Sequence, residues 1–383
     1  MLPHSNPTPE ALLVGRVWRP GIGPALVALR GETLVDITCP AFPTMRDLLE
    51  QDDPAAALRG ASGEEIGTLA DLLPGSGEGA GEEVLHLLAP CDLQAVKASG
   101  VTFAQSMVER VIEEQAAGDP DKAEAIRAKV QSVIGDSLSG IEPGSPKAME
   151  VKRVLQAEGM WSQYLEVGIG PDAEVFTKSQ PMAAVGWGAT VGLHPISRWN
   201  NPEPEIVLAV NSRGEILGAT LGNDVNLRDV EGRSALLLGK AKDNNASCAI
   251  GPFLRLFDAS YSLDDVRRAE LTMTVTGTDG FTLNGASSMS KISRDPASIV
   301  GQTIGRHHQY PDGFLLFLGT LFAPTEDRDA PGQGFTHHMG DVVTISEPAL
   351  GALSNTVRLS TEAPEWTFGT SALMRNLAGR GLL

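Results

Sequence analysis

Residues 201–224 constrain the fold of this chain more than any other stretch. Ile206-Val207-Leu208-Ala209-Val210 and Ile216-Leu217-Gly218-Ala219-Thr220-Leu221 are apolar, β-rich runs. Between them, Asn211-Ser212-Arg213-Gly214 is polar and ends in glycine. That pattern predicts a β-hairpin. Successive strand side chains face opposite ways, so Glu203 and Glu205 share one face. If Ser212-Arg213 is a two-residue loop, Asn211 pairs with Gly214, Glu205 with Thr220 and Glu203 with Gly222. Asp224 then lies one step beyond, on the same face. Three carboxylates converge.

Carboxylates that point together repel, and burying them uncompensated is costly. A hard divalent cation resolves the repulsion. Magnesium prefers oxygen ligands and keeps positions open for substrate and water, and manganese suits the same donors. On a solvated strand the same residues would instead be charges that discourage edge-to-edge pairing. Spacing alone fits both readings.

The flanking segments separate them. Asn223-Asp224-Val225-Asn226-Leu227-Arg228-Asp229 is followed by Lys242 and then Cys248-Ala249-Ile250-Gly251-Pro252-Phe253. Farther on come Pro311-Asp312-Gly313, the apolar run ending in Gly319-Thr320, Gly340-Asp341-Val342-Val343, and Gly351-Ala352-Leu353-Ser354-Asn355. In this order, over residues 88–357, they resemble the fumarylacetoacetate hydrolase superfamily. The resemblance implies a mixed α/β fold with a β-rich core. A β-roll catalytic domain would span 87–383, behind a small α+β accessory domain over 1–86. It also implies magnesium, or manganese, on Glu203, Glu205 and Asp224.

Departures from the family pattern narrow the chemistry. Hydrolases of the family place a water-activating histidine three residues after an aromatic. Phe103 is followed there by Ser106, and a serine is no general base near neutral pH without help. The sugar-acid dehydratase branch carries a catalytic glutamate ahead of a Phe-x-Lys, and Glu174 matches it before Phe176 and Lys178. By alternation these three share a face. Lys242 matches the family lysine, and Lys240 would share its face if the segment were extended. Asn245 stands where the family has an aspartate, which points away from the hydrolase majority. Thr320 matches the family's Gly-Thr as a substrate-carboxylate site. Ser288, in a serine-rich stretch, is placed to bond sugar-acid hydroxyls, with Ser106 and Lys178 as further substrate contacts.

Composition limits the partners. The formal net charge is −18 and no long basic cluster occurs, which disfavours nucleic acid and anionic membranes. Cys39, Cys91 and Cys248 are odd in number and lack metal spacing, as expected of a reduced cytoplasmic compartment. No apolar run reaches the length of a membrane span, and the first residues do not read as a leader. His307-His308 and His337-His338 are adjacent pairs that cannot both face one metal, and read as loop residues. No Gly-x-Gly-x-x-Gly fingerprint, phosphate loop or zinc spacing occurs.

Along the chain, 12–18, 25–29 and 33–38 read as strands, 44–51 as a helix capped by Thr44, and 66–73 as a second short helix. Residues 75–81 read as a glycine-rich joint. A helix follows Phe103, and 119–158 reads as two exposed helices around a loop. Residues 271–277 and 281–285 form a second hairpin turning at Asp279-Gly280.

The resemblance is nearest to the 2-keto-3-deoxy-D-pentonate (D-xylonate and D-arabinonate) dehydratases. It implies a homo-oligomer, a dimer or tetramer, acting on a small 2-oxo sugar acid. Glu174 and Lys242 would be the acid/base pair, in an order the sequence leaves open. Two alternatives share the triad: another 2-oxo-acid enzyme of the superfamily (an acylpyruvate hydrolase or oxaloacetate decarboxylase), and a sugar-acid binding protein without turnover.

Overall fold

The computed structural model describes residues 3–4, 10–75, 81–103, 141–322, 324, 326–330 and 334–383. Ser106 and the helix expected after Phe103 lie outside them, as do 119–140 of the charged insertion and most of the glycine-rich joint. Within 141–158, a helix over Pro146–Ala157 starts on a Ser145 cap that accepts from the Ala148 N–H.

Strands come first and dominate: β1 (Leu13–Arg19), β2 (Gly23–Arg30), β3 (Thr33–Asp36), β4 (Glu64–Thr68), β5 (His86–Leu88), β6 (Ala95–Gly100), β7 (Glu174–Ser179) and β8 (Thr190–Leu193). They continue as β9 (Pro204–Val210), β10 (Ile216–Asp224), β11 (Cys248–Leu256), β12 (Glu270–Thr276), β13 (Thr282–Ser288), β14 (Phe314–Phe317), β15 (Val342–Glu347) and β16 (Gly351–Leu359). The larger sheet runs β4-β3-β2-β1-β11-β10-β9-β14-β6-β7, with β5 beside β1. The smaller runs β13-β12-β15-β16-β8. The mixed α/β, β-rich fold is as expected. The strands before residue 69 extend the larger sheet through the β1–β11 pairing.

Both faces of β9 are buried, which explains its unbroken apolar run. Ile206, Leu208 and Val210 enter a core with Val191, Leu353 and Val357 of the smaller sheet. Val207 and Ala209 face the other way, into a core with Met45, Leu48 and Leu58. These last three come from the helices Met45–Leu49 and Pro54–Gly60. Thr44 caps the first of these as expected, its hydroxyl accepting from the Asp47 N–H. Glu203 and Glu205 continue the Val207 face.

The hairpin forms in a different register. Gly214 sits at φ +81°, and Asn211 pairs with Glu215 around a three-residue loop. The Asn211 side chain accepts the N–H groups of Arg213 and Glu215, a closure typical of asparagine in turns. An irregularity between Ile216 and Gly218 adds a second residue. Glu205 therefore faces Gly222, and the Asp224 N–H donates to the Glu203 carbonyl. The slip totals two residues, one full side-chain period, so the three carboxylates keep their common face.

Residues 66–73 are not one helix. β4 pairs with β3 through Thr68, and a 3-10 turn over Leu69–Gly75 follows. The edge of β3 offers backbone partners a local helix could not match, and Gly67 at φ +147° is far from helical. The β12–β13 hairpin turns at Asp279-Gly280 as expected.

Candidate metal and acid/base site

β9 and β10 present Glu203, Glu205 and Asp224 side by side, each with a carboxylate oxygen within 4.8 Å of the others and each buried. Neighbouring groups fix each one. The Asn226 amide donates to Glu203 Oε1 at 3.0 Å, and the Gly319 N–H donates to Glu205 Oε2 at 2.6 Å. Asn226 pairs with Asn201 across the strands, on the face of the triad. Its place two residues after Asp224 was a readable signal.

Two lysines face the three acids. Lys242 Nζ donates to Glu203 Oε2 at 2.6 Å and to Asp224 Oδ2 at 3.0 Å. Lys178 Nζ lies 3.0 Å from Asp224 Oδ1, yet this oxygen makes no well-formed hydrogen bond. Lys242 is not on an extended segment. Ser234 caps a 3-10 turn that runs into the helix Leu238–Lys242, so residues two apart point about 200° apart. Lys240 is exposed beside His194, at 3.5 Å, while Lys242 is buried with the Phe176 ring centroid 5.8 Å from its ammonium.

Burial pushes the Glu203 and Glu205 carboxyls up, and Asp224 adds to both. Glu205 rises well above the carboxylate range. Burial also pushes Asp224 up, but Lys178 and Lys242 outweigh it and hold this carboxyl below its usual value. Burial would lower Lys242, yet Asp224 and Glu203 carry it well above the usual lysine value. Hard oxygens, close together, buried and short of positive charge, suit a divalent cation.

The remaining candidates divide. Lys178 is fully buried, and its ammonium donates to the carbonyls of Val225, at 3.4 Å, and Lys242. Asp224 Oδ1, 3.0 Å away, is its ionic partner. The Ser288 hydroxyl bonds Glu270 and Ser290, whereas Ser287, on the opposite face of β13, accepts the Leu321 N–H at 3.1 Å. Thr320 directly follows Gly319, whose N–H meets the Glu205 carboxylate, and its hydroxyl accepts the Phe322 N–H at 3.1 Å. Glu174 opens β7, paired with Gly100.

Asn245 donates to the carbonyls of Ser360, at 3.0 Å, and Pro364, at 3.1 Å. An aspartate could not make these bonds, so the substitution ties down the C-terminal segment. His337 is buried against Asp341, with Nδ1 to Oδ2 at 3.0 Å, and Arg328 holds the same carboxylate at 2.6 Å. This cluster braces the loop ahead of β15.

Comparison with known proteins agrees with the fold. Residues 170–358 match the family model for the fumarylacetoacetate (FAA) hydrolase C-terminal region. A probable 2-keto-3-deoxyxylonate dehydratase of Haloferax volcanii is 31% identical over 202 residues, covering 53% of this chain and 66% of the relative. A 2-dehydro-3-deoxy-D-arabinonate dehydratase of Saccharolobus solfataricus is 30% identical over 188 residues, covering 48% and 58%. The chain thus spans somewhat under two thirds of each. Among solved structures, apo 2-keto-3-deoxy-D-arabinonate dehydratase superposes with a TM-score of 0.62 at 20% identity, over 91% of this chain and 99% of the other. The complex of that dehydratase with magnesium and 2,5-dioxopentanoate gives a TM-score of 0.60 at 20% identity, over the same shares. At that identity the likeness speaks for the fold. Residues 170–358, the region similar to the fumarylacetoacetate hydrolase family, hold Glu203, Glu205, Asp224 and Lys242.

Proposed function

We propose that this chain is a magnesium-dependent dehydratase converting 2-keto-3-deoxy-D-pentonate to 2,5-dioxopentanoate. The observation that carries the reading is the buried carboxylate triad facing two lysines, on a chain whose curated relatives bear dehydratase names. Glu203, Glu205 and Asp224 would hold the ion. When bound, magnesium supplies the positive charge that polarises the 2-oxo group and acidifies the C3–H bond.

The protein's own groups do the rest. Loss of a C3 proton and the C4 hydroxyl, together one water, leaves a conjugated enone. Moving a proton from C5 to C3 gives an enol, and its ketonisation produces the C5 aldehyde. The Lys242 ammonium is clamped by two carboxylates and acts as the hydrogen-bond donor to developing negative charge. Glu174, on the far side of the Gly319-Thr320 loop, is then the proton-transfer group, removing the C3 proton. Thr320 binds the substrate carboxylate. Residues 87–383 form the catalytic unit, 1–86 extend its sheet, and the enzyme works as a cytoplasmic homo-oligomer. Manganese would serve in place of magnesium. Among the described residues, no helix is long and apolar enough to cross a membrane.

A coupled assay tests the reading. Purified protein, 2-keto-3-deoxy-D-xylonate, magnesium, NAD+ and a semialdehyde dehydrogenase should produce NADH, and chelator should stop it. Turnover undiminished in chelator would reject the metal assignment. Cleavage of an acylpyruvate or decarboxylation of oxaloacetate, without dehydration, would move the protein to another branch of the family.

A further inference from the structure

Glu205 and Glu174 lie three strands apart in order, on β9 and β7, with β14 and β6 between. The register links them across the sheet. Val207 pairs with Phe317, Phe317 with Ala98, and Ala98 with Phe176. Two residues further along, Gly100 pairs directly with Glu174, and Gly319, just past the end of β14, meets Glu205 through its N–H, so Glu205, Gly319, Gly100 and Glu174 follow one another across the sheet. Both interior positions of the row are glycine. Neighbouring strands stand ~4.8 Å apart, so the two glutamate backbones are about 14 Å apart.

The side chains close that distance from both ends. Glu205 reaches over β14, where the Gly319 N–H meets its Oε2 at 2.6 Å. Glu174 stands on the edge strand and leans inward over β6. A Cβ built on Gly100 would lie 2.0 Å from Glu174 Oε2 and 2.8 Å from its Cδ. Both carboxylates thus reach in from their own strands, Glu205 to the Gly319 N–H and Glu174 over Gly100. Gly100 has an ordinary backbone conformation, absent from the residues with positive φ. Its glycine is not needed for a turn. What it leaves open is the space the Glu174 carboxylate occupies.

We infer that Gly100 is a positioning residue: it lets Glu174 lie inward across β6, toward the metal-holding carboxylates, instead of standing off at the sheet edge. This rests on the proposed dehydratase reading. A methyl group at residue 100 would meet the end of a flexible side chain, so the carboxylate should swing outward while the strand stays in place. Misplacing a reacting group by about 1 Å can cost ~10²-fold in rate.

The test compares Gly100→Ala, Glu174→Gln, Glu174→Asp and the double variants, with 2-keto-3-deoxy-D-xylonate and magnesium. Gly100→Ala should lower kcat by about 10²-fold, with KM, magnesium affinity by calorimetry and thermal unfolding near wild type. In the Glu174→Gln background the alanine should cost nothing further. The shorter Glu174→Asp carboxylate clears the methyl group, so the alanine penalty should shrink in that background too. A crystal structure of Gly100→Ala should show the Glu174 carboxylate displaced. Wild-type kcat in Gly100→Ala, or an equal loss with and without Glu174, would overturn the inference while leaving the reaction assignment standing. No turnover by wild type would instead overturn the reaction itself, and an unmoved carboxylate in Gly100→Ala would then overturn the positioning role as well.

Discussion

Replacing Lys178 with methionine keeps the length of the side chain and deletes its charge. In the structure that ammonium is fully buried, 3.0 Å from Asp224 Oδ1, and donates to the carbonyls of Val225 and Lys242. At an effective dielectric of ~20, a unit charge pair at this distance is worth about 5 kcal/mol. Breaking a buried pair by removing one partner typically costs ~3–5 kcal/mol. The Lys242 carbonyl keeps a second donor, the Ser247 hydroxyl at 2.8 Å, so the loss falls mainly on Asp224. Metal-free Lys178→Met should therefore be ~3–5 kcal/mol less stable in urea unfolding. The sign of the pH effect follows from Asp224. Its carboxyl is held low in the folded state, so its stabilisation is complete above the unfolded-state value and disappears as pH falls through the folded one. Without Lys178 that loss should begin at higher pH. Magnesium reverses part of the damage, because an ammonium beside the triad repels the ion. The variant should bind magnesium at least about tenfold more tightly, and the stability gap should narrow by the corresponding ~1.4 kcal/mol. A variant as stable as wild type in chelator, with unchanged magnesium affinity, would refute the reading of Lys178 as the buried counter-charge of Asp224.

Three further outcomes follow from the same geometry. The Glu205 carboxyl is raised well above its usual range by burial and by Asp224, so without metal its contribution to stability is lost as pH rises through the folded value; magnesium should bind more tightly across that rise and release protons in calorimetry, and a pH-independent affinity would contradict it. Glu174→Gln should reduce kcat by ~10²–10⁴-fold while magnesium affinity stays near wild type, and wild-type exchange of the C3 hydrogen by this variant would remove Glu174 as the base. Asp341→Asn leaves the buried Arg328 short of a counter-charge and weakens the hydrogen bond to His337, and should cost ~3–5 kcal/mol in urea unfolding, whereas a loss under ~1 kcal/mol would show that the cluster does not brace its loop.

The hairpin was legible because alternation survives an error of two. The loop length was misread and the irregularity near Leu217 was invisible, but together they moved the register by a full side-chain period, so Glu203, Glu205 and Asp224 stayed together. Other readings failed where tertiary partners decided the outcome. The 66–73 segment has helical apolar spacing, yet the free edge of β3 captured its first half. Lys240 and Lys242 look alike in sequence, and only the local helix sends one to solvent and the other into the site. Lys178 was recognisable by its motif, but the carbonyls its ammonium bonds lie in chain segments 47 and 64 residues away. Ser288 and Ser287 are adjacent, and strand phase alone chooses Ser287 to support the Gly319-Thr320 loop. Gly100 carried no signal, because its role lies in the space it leaves for Glu174.

Dehydration itself is most directly examined by proton NMR of the wild-type protein with magnesium and 2-keto-3-deoxy-D-xylonate in deuterium oxide. The account predicts 2,5-dioxopentanoate carrying solvent deuterium at C3 and C4, formed only while the triad can hold metal and abolished by chelator. Pyruvate and glycolaldehyde, the products of breaking the C3–C4 bond, or substrate left unchanged beside bound magnesium, would contradict it.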